Sequence, residues 1–240
     1  MTNDRPPVIG VIGAAVSANK GAASMYYAVA ETMASEHPGA EIVLLTTYPD
    51  EDRTVLEASG SAMPTIVDAS PVTLLIAFLV ALPIRTLDAL GIPVGPFGAN
   101  RLVRAVRRTD VVVDLAGISF ADGRGIPLLG YNSVMSLFPY LAGGTVVKAS
   151  QAIGPARTWT TRTAARIVLP RMQVICARGA RTRAHLDGLG LDNVVDAADI
   201  AFLMPMGDSH VDEARSLAPQ GGLLILPSSV VQGYAETADV

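Results

Sequence analysis

Short apolar runs alternate along this chain with longer stretches whose apolar residues recur every three or four positions. The first run, residues 8–13, leads through a small-residue loop to a helical stripe over residues 21–36, with Met25, Val29 and Met33 on one side. Residues 41–47 form a second run, and Pro49 then opens a short helix with Asp50, Glu51 and Asp52 in its first turn, where the helix dipole favours acids. Further strands are predicted at residues 65–68, 111–113, 146–149 and 173–177, with one more short strand inside residues 193–202. Helices are predicted to follow Arg101, to cover residues 128–141, to run from 159 to a stop at Pro170, and to span residues 178–190. Strand and helix in alternation predict an α/β fold, a Rossmann-like doubly wound parallel sheet.

Residues 71–90 interrupt that rhythm. Residues 72–84 are uncharged and strongly apolar. Three readings are open: a buried core helix, a helix lying in a membrane interface, or a full span. A span needs about 20 apolar residues, and Pro83, Arg85 and Asp88 break this one. Residues 91–98 are rich in glycine and proline and predict a rigid, non-helical link. Beyond them Arg101, Arg104, Arg107 and Arg108 fall on one side of a helix, either as a solvated face or as a contact for an anionic lipid or phosphate.

Composition narrows the classes. The chain has 240 residues, 50% of them hydrophobic and 17% charged, enough for one large domain or for one domain and part of another. A formal net charge of -4 argues against general nucleic-acid binding. Cys176 is the only cysteine, so no intrachain disulfide forms, and a reducing, cytoplasmic compartment fits. The N-terminus is polar and its first apolar run is too brief for a secretory signal.

Candidate chemistry gathers where strands end. In open α/β sheets, ligands bind beyond the carboxyl ends of the strands. The stretch around which the rest is organised, residues 146–155 (VVKASQAIGP), reads as a buried strand running into a polar loop. Ser150 and Gln151 offer a hydroxyl and an amide there, against the plainer reading of a turn satisfied locally. Asp114 closes the central strand, a natural acid, base or hydroxyl acceptor, or else the cap of the next turn. Arg178 stands at another strand end, and its fork suits carboxylate or phosphate. Residues 14–22 (AAVSANKGA) precede a helix and could hold an anion on backbone N–H groups, or form only a tight turn with Asn19 and Lys20 exposed. The glycines do not match the dinucleotide fingerprint, and Lys20 precedes Gly21, so this is not a P-loop. Cys176 reads as core and His185 as a surface or packing residue. His37, His185 and His210 lack metal-ligand spacing, so neither metal nor other cofactor is expected.

Taken together, residues 19–22 (NKGA), 110–122, 150–155 (SQAIGP), 176–179 (CARG) and 196–202 (DAADIAF) resemble the polysaccharide pyruvyl transferase family, in the family's order and over about residues 8–205. The resemblance implies two Rossmann-like halves facing a cleft, as in glycosyltransferase-B-like proteins. It implies transfer of a pyruvyl group from phosphoenolpyruvate to a saccharide of the cell envelope or an exopolysaccharide, as a ketal on two hydroxyls. On the matching positions, Arg178 is expected to hold the phosphoenolpyruvate carboxylate or phosphate, and Asp114 to act as base or acceptor partner. Ser150 and Gln151 are expected to position substrate, and Asn19 and Gly21 to contact anion or sugar. Residues 1–206 then read as the N-terminal domain, 207–222 as a linker, and 223–240 as the start of a truncated second domain, whose family counterpart supplies further arginine and histidine residues. If residues 71–90 dock at a membrane, the acceptor would be lipid-linked and the protein would work at the inner face. Two other classes remain: a sugar-nucleotide glycosyltransferase of similar shape and a non-catalytic remnant.

Overall fold

The computed structural model describes residues 5–204 and Ser216. The linker expected at residues 207–222 (Ser216 apart), the strand expected after it, and His210 lie outside the described residues.

The run β1 (Val8–Ile12) leads through α1 (Lys20–Glu36) to β2 (Glu41–Thr46), and α2 (Pro49–Ser59) leads on to β3 (Thr65–Asp68). The helices α3 (Pro71–Ala81), α4 (Ile84–Ala89) and α5 (Arg101–Arg107) return the chain to β4 (Val111–Asp114). A short β5 (Ile118–Ser119) precedes α6 (Ile126–Leu141), β6 (Val146–Ile153), α7 (Trp159–Val168), β7 (Val174–Arg178), α8 (Gly179–Asp187) and β8 (Val194–Ala197). These strands form one parallel sheet in the order β3-β2-β1-β4-β6-β7-β8, with β5 paired to β6 off that path. The order runs outward from β1 in one direction and from β4 in the other. This is the doubly wound, Rossmann-like arrangement, and its switch point lies between β1 and β4.

Alternation along each strand sends side chains to two layers. Ile12, Val43, Leu45 and Val112 pack with Leu74, Ala77, Leu102, Val103 and Phe138 from α3, α5 and α6. Val11 and Leu44 pack with Met25, Tyr26 and Leu56 from α1 and α2. Under α7 and α8, Ile153 and Ile175 meet Val168 and Leu186 in a third cluster.

The structure corrects one local expectation and refines two others. The polar loop expected at Ser150 and Gln151 is instead a continuation of β6, carried through a register shift between Lys148 and Gln151. Gln151 pairs with Ala177 of β7 and Ala152 with Ile118 of β5, so neighbouring backbone keeps these residues in strand despite polar side chains. Residues 71–90 form two helices parted at Leu82 and Pro83, where proline lacks an N–H to continue the ladder. Arg101, Arg104, Arg107 and Arg108 are all exposed, as the solvated-face reading expects, and two of them pair at the surface, Arg107 with Asp88 at 2.7 Å and Arg108 with Glu41.

Candidate functional site

Beneath the switch point lies a closed polar cluster. Asp114 and Lys148 are register partners on β4 and β6, so their side chains share a face. Both are fully buried, and Lys148 Nζ donates to Asp114 Oδ2 at 2.5 Å. Ser136 of α6 donates to the same oxygen at 2.8 Å and accepts from Lys148 Nζ at 2.8 Å. Asp114 Oδ1 accepts from Ala116 N–H at 3.0 Å and from Gln151 Nε2 at 2.9 Å. Gln151 also donates to the Asp114 carbonyl at 2.7 Å and accepts from Ser119 Oγ at 2.8 Å. Lys148 Nζ sits 5.5 Å from the ring centroid of Phe120, a cation–π contact inside the core. Such a cluster is tolerable only if every member is paired, and this one is.

The geometry bears directly on Asp114 as a base. Its carboxylate has no exposure, and donors occupy both lone-pair directions on each oxygen. It is an anchor under the site, and no acceptor position is left for a substrate proton. Gly13 makes this close packing possible. Its φ of +81° is left-handed, and a Cβ there would meet Ala116 N at 2.8 Å and Asp114 Oδ1 at 3.2 Å.

Ser150 is structural in the same sense. It takes a left-handed φ of 54°, which serine adopts rarely, at the irregularity in β6. Its Oγ donates to Ala198 O at 2.7 Å and accepts from Ile200 N–H at 2.7 Å. This fixes the segment carrying Asp199, whose Oδ2 pairs with Arg178 Nη1 at 2.7 Å.

Above the cluster opens a cleft of about 530 Å³ at the carboxyl ends of β1, β2, β4 and β7. Of the six residues expected at the site, Asn19, Gly21 and Arg178 line this cleft, whereas Asp114, Ser150 and Gln151 lie outside its lining. Asn19 Oδ1 already accepts from Gly21 N–H at 2.7 Å and Ala22 N–H at 3.2 Å. It caps α1 and consumes the N–H groups an anion would seek.

Two lining residues went unassigned in the sequence. Arg124 donates from Nη1 to Ile118 O at 3.1 Å, while Arg178 Nη2 reaches Gly117 O at 3.5 Å. Two guanidinium groups therefore converge on consecutive carbonyls, Gly117 just before β5 and Ile118 at its start. Arg178 has Asp199 as counter-charge; Arg124 has no carboxylate partner among the described residues. The signal for Arg124 was its place between Gly123 and Gly125 in the loop after a central strand. The second is Asn132 on α6, 6% exposed and lining the same cleft. Asp199 is the one carboxylate among the described lining residues. Among the described residues no group of three or more His, Cys, Asp or Glu gathers to hold a metal. His185 packs against Gly154 and stands outside the cleft lining.

The loop walls are braced from outside by Asp122. It accepts from Arg157 N–H at 2.7 Å and from Thr158 Oγ at 2.7 Å. Partial burial pushes its carboxyl up, but hydrogen bonds from Thr158, Arg157 and Thr161 outweigh that and hold it below the usual carboxylate range.

The sequence profile of the family described as polysaccharide pyruvyl transferase matches residues 19–236. No curated protein matches the chain. Among solved structures, a short-chain dehydrogenase from Streptomyces avermitilis is 15% identical over 99% of this chain and 94% of that one, with a TM-score of 0.39. So loose a superposition carries no argument, and the fold assignment stands on the strand order above.

Proposed function

Because the chain belongs to the polysaccharide pyruvyl transferase family, we propose that it transfers the pyruvyl group of phosphoenolpyruvate to a cell-envelope or exopolysaccharide saccharide, forming a ketal. The observation that carries this reading is the pair Arg124 and Arg178 on consecutive carbonyls at the switch-point cleft. Phosphoenolpyruvate is a small polyanion, and forked donors in a recessed site suit its carboxylate and phosphate.

The reaction protonates the methylene carbon of phosphoenolpyruvate, leaving a cationic centre at the adjacent carbon. A sugar hydroxyl attacks there and gives up its proton. The carbon–oxygen bond to phosphate then breaks, and a second hydroxyl closes the ketal while its proton leaves with phosphate. In this reading Arg178 and Arg124 hold the donor, and Asp199 takes the hydroxyl proton, since Asp114 is committed to Lys148. Asp114, Gln151 and Ser150 act as positioning residues, and Asn19 with Gly21 shapes the wall at the start of α1. We place the protein in the cytoplasm at the inner membrane face, acting on a lipid-linked acceptor. Support for that placement is the exposed apolar face of α3.

The test is release of inorganic phosphate from phosphoenolpyruvate by the full chain with a pooled saccharide acceptor. Acceptor-dependent release is the expected result. Thermal stabilisation by a sugar nucleotide and none by phosphoenolpyruvate would overturn the reading in favour of a glycosyltransferase.

A further inference from the structure

We propose that the end of the cleft walled by Asn132, Tyr131 and Thr47 is the subsite for a neutral sugar, with Asn132 as its specificity-determining residue. The inference rests on the transferase reading of the same cleft.

Three observations carry it. First, Asn132 is 6% exposed and lines the cleft, and its side chain makes no hydrogen bond among the described residues. No side-chain nitrogen or oxygen among the described residues is both buried and unpaired, so the amide is open to the cleft rather than orphaned in the core. An amide so largely enclosed, unpartnered within the protein and open to the cleft, is placed to bond a ligand there. Second, charge is partitioned. Arg178 belongs to the end of β7, whereas Thr47 follows β2, four places away in strand order, or roughly 19 Å at the usual spacing. The lining that comes from the end of β2 and from α6 is uncharged: Leu45, Thr46, Thr47, Leu128, Tyr131, Asn132 and Met135. Third, the wall is preset, because Thr47 Oγ and the Tyr131 hydroxyl lie 3.1 Å apart and tie α6 to the end of β2.

An amide presents donors and an acceptor side by side, which matches the hydroxyls of a pyranose. Apolar walls beside it accept the ring's C–H face. The donor's anion is thereby directed to the arginine end, and the attacking hydroxyl belongs to the part of the saccharide that reaches from the Asn132 end toward Asp199.

The test uses the full chain and two probes. Binding of methyl β-D-galactopyranoside and methyl β-D-mannopyranoside is read by saturation-transfer NMR, and binding of inorganic phosphate by phosphorus line broadening. We expect wild type to bind at least one glycoside, Asn132→Ala to weaken it roughly five-fold or more, and phosphate broadening to stay unchanged. Thr47→Val, which keeps shape and removes the hydroxyl, is expected to weaken the glycoside in the same way and serves if Asn132→Ala does not fold. Undiminished glycoside binding by the variants, or none by wild type, overturns the subsite, as does parallel loss of phosphate. Absence of phosphoenolpyruvate-dependent turnover with glycoside binding intact would count against the transferase reading and leave the subsite standing.

Discussion

At the scale of single residues, the decisive pair is Asp114 and Lys148. Lys148→Met leaves a buried carboxylate without its cation and is expected to cost about 3–5 kcal/mol in urea unfolding. Asp114→Leu alone is expected to cost as much, and the double variant far less than the sum, because two matched apolar groups replace a matched pair. Single losses under about 1 kcal/mol would show that the pair does not hold the switch point together. Sequence patterning could not expose this pair. A lysine inside an apolar strand reads as an outward-facing position, and its partner is 34 residues away, visible only once β4 and β6 are in register. Arg178 was legible because it ends a strand; Arg124 had only the weaker signal of two flanking glycines, and Asn132, mid-helix, carries no local signature. Asp122 gives a pH signature. Its folded pKa lies below the unfolded value, so its hydrogen bonds contribute fully above the usual carboxylate pKa and are lost as pH falls through the folded one. Asp122→Asn should therefore destabilise most near about pH 7, with the gap to wild type closing below about pH 4. A gap that persists unchanged at low pH would assign the effect to shape rather than charge.

At the scale of elements, α3 has two faces of unlike fate. Leu74, Ala77 and Ala81 are buried against the sheet, while Val72, Leu75, Ile76 and Leu79 are at least half exposed. Its composition with α4 reaches the length of a span, residues Pro71–Ala89 with a mean hydropathy of 1.9 over the most apolar window. The 11 residues of α3 itself cover only about 16 Å, against a hydrocarbon core of about 30 Å. Asp68 further ties its start to the sheet, accepting from Ser70 N–H at 2.8 Å and Thr73 Oγ at 2.9 Å. Such a helix suits lying in a membrane interface with its free face in the acyl boundary. Arg101 and Arg104 on the adjacent α5 have no carboxylate partner among the described residues and suit anionic headgroups. Leu75→Ser with Leu79→Ser is expected to leave stability within about 0.5 kcal/mol and abolish sedimentation with phosphatidylglycerol vesicles. Leu74→Ala, on the packed face, should instead cost about 2–5 kcal/mol and leave vesicle binding alone. Wild type failing to sediment would remove the membrane from the account.

At the scale of the whole molecule, the parallel, doubly wound sheet followed from the alternation of apolar runs, because each run had to be buried between helical layers. What the pattern could not convey was how one strand serves the site through others. Ser150 and Gln151 looked like loop residues facing a ligand, yet the pairing of β6 with β5 and β7 turns them inward. Their contribution is then transmitted. Ser150 holds Ala198 and Ile200, these fix Asp199, and Asp199 orients Arg178 toward the cleft. Ser150→Ala strips one carbonyl and one N–H of their partner, at about 1–3 kcal/mol. It should raise the KM for phosphoenolpyruvate several-fold, a weaker copy of Arg178→Ala in binding, and lower kcat as well, since Asp199 also takes the hydroxyl proton. Because both act through one guanidinium, the double variant should bind phosphoenolpyruvate no worse than Arg178→Ala alone. If the two losses instead multiply, Ser150 serves the cleft by some route other than Asp199, and the chain of contacts from β6 to Arg178 is not the one that matters.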